Sequence, residues 1–150
     1  MSPPHPFLLH GTCVALGPHG VLLRGPSGAG KSDLALRLID RGARLVADDQ
    51  VRLRAEAGTL IATAPDNLRG LIEVRGLGIV ALGQGCPSVP LRLVVDLAPP
   101  AAIARLPEAA TATIADMILS RIALTPFEAS APLKVELALR AATGDLKVTR

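Results

Sequence analysis

The chain has 150 residues, 49% of them hydrophobic and 19% charged, with a net charge of +3 and a pI near 9.4. That length suits one compact domain with a full core, and no run of about 18 apolar residues free of charges or breakers offers a membrane span. With two Phe and no Tyr or Trp, it lacks the stacking aromatics and clustered Lys/Arg of nucleic-acid binders, so neither nucleic acid nor membrane is an expected partner. The first 23 residues carry no Lys, Arg, Asp or Glu but do carry four prolines and three histidines. The positive start and clean apolar stretch of a signal peptide are both missing, and a cytoplasmic protein is expected. Cys13 and Cys86 have no metal-site spacing and read as reduced, buried thiols.

In chain order, residues 7–16 hold a strand, residues 18–20 a turn, and Val21-Leu22-Leu23 a short buried strand ending at Gly25. A Gly-rich segment follows, then a helix from about Lys31 with Leu34, Ala35 and Leu38 on one face. Gly42 ends it, and Arg37 and Arg41 suit its negative dipole end. Strands are expected at 44–47, 51–54, 59–62, 71–74, 79–82 and 91–97. The gaps between most of them are too short for crossover helices, so hairpins and a mixed sheet with substantial antiparallel content are expected. Residues 99–106 suggest one short helix, and 111–120 fit either helix or extended chain. Residues 133–142 form a helix, with Pro132 at its first position, Ser130 as a cap and Gly144 at its end.

The strongest chemical signal is Gly25-Pro26-Ser27-Gly28-Ala29-Gly30-Lys31-Ser32, a complete phosphate-loop pattern between a strand and a helix. Glycines let the backbone turn its N–H groups inward as an anion nest, and the following helix adds its free N–H groups and positive dipole end. Lys31 neutralises charge on the β- and γ-phosphates, and Ser32 supplies a hydroxyl to Mg²⁺. Ala47-Asp48-Asp49 ends a strand 17 and 18 positions beyond Lys31. Beside a phosphate loop, one acid serves the metal while the other takes a proton from a hydroxyl nucleophile. Alternation along residues 71–80 sets Glu73 and Arg75 on one strand face. They are either a solvent-facing ion pair or a metal ligand with a phosphate contact. His10, next to Gly11, is either a structural or a catalytic histidine.

Taken together, Gly25–Ser32 followed by Asp33, the Ala47-Asp48-Asp49 strand end, His10-Gly11 and Glu73-Val74-Arg75-Gly76-Leu77-Gly78-Ile79 resemble the HPr kinase/phosphorylase family, most strongly over residues 10–82. The resemblance implies an α/β phosphate-loop domain with a mixed, partly antiparallel sheet like that of phosphoenolpyruvate carboxykinases. It implies an ATP- and Mg²⁺-dependent kinase of a serine on HPr, or an HPr-like phosphocarrier, with phosphorolysis in reverse, assembled as a homo-oligomer, commonly a hexamer. By the same resemblance, Lys31 is the loop lysine, Ser32 and Glu73 are Mg²⁺ ligands beside Asp48, Asp49 is the proton acceptor, and His10 and Arg105 are catalytic. The resemblance implies that the chain corresponds to the catalytic domain alone, and no N-terminal regulatory domain is expected. It departs from the family at Pro126-Phe127-Glu128-Ala129-Ser130-Ala131-Pro132, where many members carry an arginine loop linked to dephosphorylation. Efficient phosphorolysis is therefore not expected. The alternatives are a small-molecule kinase with a phosphate loop, which would carry a parallel sheet and an Arg-rich lid, and a nucleotide sensor that transfers nothing.

Overall fold

The computed structural model describes residues 5–83 and 85–150. Among the described residues, nine strands form one curved mixed sheet, two more form a separate hairpin, and two α-helices complete an α/β fold. The centre is β3 (His19–Arg24), paired parallel to β9 (Val89–Leu97) and antiparallel to β2 (Thr12–Leu16). β2 pairs antiparallel with β4 (Arg44–Ala47), and β9 pairs parallel with β11 (Met117–Leu124), whose other neighbour is β10 (Ala110–Ile114). At its N-terminal end β9 also pairs with β6 (Thr59–Thr63), which continues to β5 (Gln50–Glu56) and β1 (Phe7–His10).

The apolar run at 21–23 is buried on both faces, as a central strand requires. Val21 and Leu23 face α1 (Lys31–Asp40) and α2 (Ala131–Ala142), in a core with Leu34, Leu38, Val135 and Leu139. Leu22 faces the opposite way, into a second core with Cys13 of β2 and with Val51, Leu53 and Leu60 from the β1-β5-β6 layer. Burial pushes the Cys13 thiol up, so it behaves as an apolar side chain, whereas Cys86 is only partly buried.

The mixed sheet agrees with the sequence expectation; 99–106 and Ser130 differ in detail, and the open alternative at 111–120 is settled. Residues 99–106 form no α-helix, only a 3₁₀ turn at Pro100–Ala102; Pro107 disfavours helical backbone at the residue before it and limits the segment from its C-terminal side. The ambiguous stretch 111–120 is a hairpin, β10 to β11, closed by Ala115 and Asp116 with φ of 50° and 65°. Two positive φ values are the signature of a tight turn that matches strand twist, and β-branched Thr111, Thr113 and Ile114 suit the strand. In α2, Ser130 makes no side-chain cap and is itself helical at φ −81°, ψ −3°, so Pro132 falls in the first turn behind Ala131.

A short hairpin, β7 (Leu71–Val74) with β8 (Gly78–Ala81), stands apart from the main sheet. Arg75 lies past the end of β7, in a turn closed by Leu77 N–H to the Val74 carbonyl at 2.9 Å, with Gly76 at φ 89°. The same-face pairing expected of Glu73 and Arg75 therefore fails, and no ion pair joins them. Only glycine sits easily at that second corner, so the turn ends the alternation.

At the C-terminal edge of the central strands, Asp96 accepts hydrogen bonds from Arg24 at 2.7 and 2.9 Å and from Arg121. Burial alone would raise the Asp96 carboxyl, but the two guanidiniums overcome it and hold it below the usual carboxylate range. A depressed folded-state value contributes stability above the ordinary carboxyl range, near pH ~4, and the contribution disappears as pH falls through the folded value. Asp96→Asn is expected to cost about 1–2 kcal/mol at pH 7, with the gap to wild type closing in urea titrations below pH ~4.

Candidate active site

Sheet topology explains why distant residues meet. β4 and β3 are both antiparallel to β2, so they run in the same direction. Their C-terminal ends, and the N-terminal end of β2, therefore share one edge of the sheet. From that edge β3 leads into the phosphate loop, β4 leads into Asp48, and β2 begins with Thr12. Asp48, only 6% exposed, collects all three: its Oδ1 accepts from Thr12 Oγ1 at 2.9 Å and from Ser32 Oγ at 2.7 Å. Its Oδ2 accepts from the Glu73 backbone N–H at 2.9 Å, which ties the β7–β8 hairpin to the same point.

The chain bends between layers at the next residue. Gln50 N–H bonds the Asp48 carbonyl at 2.8 Å, leaving Asp49 as the centre of a three-residue turn at φ 70°. Such a turn is strained for any residue with a Cβ, and Asp is among the few that tolerate positive φ. β1 bends beside it, where Gly11 N–H bonds the Asp49 carbonyl at 3.0 Å. The β1–β5 register sets His10 opposite Gln50, which brings His10 Nδ1 to 3.5 Å from Asp49 Oδ1. Both side chains are more than half exposed, so they face the open cavity rather than the core.

The phosphate loop wraps as its sequence requires. Gly30 adopts φ 101° immediately before α1, which only glycine does without strain. Lys31 Nζ is folded back on the loop, donating to the carbonyls of Gly25 at 2.6 Å and Pro26 at 3.0 Å. Burial lowers the Lys31 ammonium below its ordinary range, against the opposing pull of Asp48 and Asp49. A desolvated cation beside free loop N–H groups is an anion site.

Ser27, Gly28, Gly30, Lys31 and Ser32 line one cavity of about 550 Å³ together with His10, Asp48, Asp49, Glu73 and Arg75. Of the other residues the sequence singled out, Gly25, Pro26 and Ala29 belong to the same loop without lining the cavity, and Arg105 is exposed in the segment after the Pro100–Ala102 turn, away from the cavity lining. Among the described residues no three His, Cys, Asp or Glu side chains converge, so there is no all-protein metal cage. Two carboxylates and a hydroxyl facing a phosphate site are instead the hard oxygen set that suits Mg²⁺, which takes few protein ligands and completes its shell with phosphate and water. Asp48 Oδ1 accepts two hydrogen bonds and Oδ2 one, so one lone pair on Oδ2 stays open. Ser32 spends its hydroxyl proton on Asp48 and keeps its lone pairs for a cation.

Sequence reasoning missed three participants. Thr12 is fully buried and polar, two residues from His10, a position that alternation alone cannot distinguish from the core. Arg37 reads as a dipole partner, yet it donates to the carbonyls of Pro126 and Glu128 while pairing with Asp33 at 2.9 Å. Phe127, one of two phenylalanines, reaches the cavity from the far end of the chain.

Residues 5–99 match the family described as HPr Serine kinase C-terminal domain. The chain belongs to that family. It is similar to the HPr kinase/phosphorylase of Clostridium botulinum, 49% identical over 76 residues, covering 51% of this chain and 25% of that protein. The HPr kinase/phosphorylase of Geobacillus thermodenitrificans is 46% identical over 96 residues, covering 59% of this chain and 31% of that protein. The chain thus spans between a quarter and a third of the length of these curated relatives. The fold superposes on the HPr(Ser) kinase/phosphatase from Coxiella burnetii with a TM-score of 0.81 and 27% identity, covering 91% of this chain and 96% of that one.

Removing the Asp48 carboxylate leaves a buried hydroxyl and a backbone N–H without partners. Asp48→Ala is expected to destabilise the fold by roughly 3 kcal/mol, measured by urea denaturation.

Proposed function

We propose that this chain is the catalytic domain of an ATP-dependent serine kinase whose substrate is HPr or an HPr-like phosphocarrier. The observation that carries the reading is the convergence, in one cavity, of a phosphate loop with an exposed carboxylate on a strained turn, Asp49, backed by His10. A phosphate loop alone serves nucleotide binding. A carboxylate held beside it, with no core to neutralise it, serves proton removal from a hydroxyl nucleophile.

The γ-phosphoryl group would lie against the loop N–H groups and Lys31, which exchanges its two carbonyl partners for phosphate oxygens. Mg²⁺ would be held by Ser32 Oγ and the Glu73 carboxylate, with Asp48 orienting Ser32 from behind. Bound there, it supplies positive charge across the β- and γ-phosphates. The serine hydroxyl gives its proton to Asp49 as its oxygen attacks the γ-phosphorus, and the bond to the β-phosphate oxygen breaks to release ADP. His10 steadies the Asp49 carboxylate through the 3.5 Å approach. Positioning and charge neutralisation supply most of the acceleration. Phosphate-dependent dephosphorylation is the weaker half of the reading, because the 126–132 loop offers Glu128 and no arginine. Arg105 belongs to the reading only if another element carries it to the transferred phosphate.

ATP and a phosphocarrier are cytoplasmic reactants, and no described helix is long and apolar enough to cross a membrane. A homo-oligomer is part of the proposal: Leu133 and Leu137, one turn apart on α2, are 44% and 47% exposed and leave apolar surface for a second copy.

Incubation with γ-labelled ATP and HPr is expected to yield phosphoserine on HPr, with Lys31→Ala abolishing nucleotide binding and label together. Label on a metabolite instead would favour a small-molecule kinase, and no transfer at all a nucleotide sensor. Asp49→Asn is expected to keep ATP affinity within about twofold while lowering transfer by at least about 10²-fold; a variant that still phosphorylates the carrier removes Asp49 as the base.

A further inference from the structure

The chain has two phenylalanines and no other aromatic of the Tyr or Trp type. Phe7 is half-buried in β1 and packs on the core. Phe127 is 67% exposed, although a ring on a loop is normally drawn into apolar cover. It is not exposed at random. A Cβ built on Gly30 would fall 2.8 and 3.0 Å from two atoms of the Phe127 ring, so the ring lies directly on the phosphate loop. The same ring lines the cavity that holds Lys31 and Ser32.

The loop bearing the ring is fastened on both sides. Arg37 of α1 donates to the carbonyl of Pro126, before the ring, and to that of Glu128, after it, at 3.2 Å. Asp33 holds Arg37 in turn at 2.9 Å, and Lys134 holds the Glu128 carboxylate at 3.0 Å. A one-residue arch tied down at each foot presents its central side chain in a fixed direction. The remaining cavity wall is mostly polar, apart from Leu36 and Val74. It is suited to phosphates and a metal, and its one other ring, the His10 imidazole, is paired with Asp49.

We propose that Phe127 is the stacking platform for the nucleotide base, with Arg37 as its positioning residue. The inference rests on the nucleotide-binding reading above and assigns the base a place on the 126–130 loop. Base-on-aromatic stacking changes affinity by roughly 5- to 150-fold on alanine substitution and tolerates different bases, since every base has a π-face. This chain should therefore discriminate weakly between ATP and GTP.

The test compares ATP with inorganic tripolyphosphate, which carries the phosphates and no base. In the full chain, Phe127→Ala is expected to weaken ATP binding about tenfold or more and tripolyphosphate binding by less than about twofold. Because the chain has no native Trp, Phe127→Trp creates a single fluorescent reporter, expected to keep ATP affinity and to be quenched by ATP but not by tripolyphosphate. Arg37→Ala is expected to reproduce the base-dependent loss in milder form. Equal weakening of both ligands in Phe127→Ala, or no weakening of either, overturns the proposal, as does an unchanged ATP affinity with a raised KM for the carrier. If wild type binds tripolyphosphate and ATP alike and only the Phe127 effects are missing, this inference falls alone. A wild-type chain that binds neither overturns the proposed function with it.

Discussion

The site depends on one buried carboxylate. Asp48 accepts from Thr12 at the start of β2, from Ser32 at the start of α1 and from the Glu73 backbone on β7, while its own position ends β4. Four separate pieces of chain are thereby held within a few ångströms of one charge. Hydrogen bonds to an ionised acceptor contribute about 1.5–3 kcal/mol each, enough to offset a desolvation cost of several kcal/mol only when the acceptor is well supplied. The carboxylate has partners on both oxygens. That arrangement also spends the Ser32 proton inward and leaves the cavity side of the hydroxyl free for a cation.

Asp49, one residue on, has the opposite character. Its side chain is exposed and its backbone is strained at φ 70°. The strain comes from the fold: the chain must leave β4 and enter β5 of the β1-β5-β6 layer across only Asp48 and Asp49, and Gly11 makes the matching bend alongside. A cost of about 1–3 kcal/mol is typical of such positions and is tolerated where surrounding pairing over-determines the backbone. Adjacent aspartates with the same chemistry are thus separated into a buried anchor and an exposed acid by a single turn.

Much of this was legible along the chain. The phosphate loop declares itself because a glycine pattern constrains backbone geometry locally, and the 3.6 spacing of Leu34, Ala35 and Leu38 is a local property of α1. Short gaps between strands excluded crossover helices and pointed to a mixed sheet. The open alternatives and the errors fell where a local pattern competes with long-range pairing. Residues 111–120 carry both helical and extended propensity, and it is the parallel partnership of β11 with β9 that settles them. Ser130 has the side chain of a cap, but the chain enters α2 through a helical turn that gives its oxygen no role. Arg75 continues the alternation of β7 in sequence, and Gly76 turns it out of the strand.

The sequence by itself determined the phosphate loop, the α1 face and the identity of the acids, because each is written in consecutive residues whose geometry is set within a turn or a strand. Only the tertiary structure decided which acid is buried and which is exposed, that Thr12 serves Asp48, and that Arg37 carries Phe127 from the far end of the chain onto Gly30. Those relations join residues 36 to 97 positions apart. Strand direction and register bring them together, and neither is encoded in any local pattern.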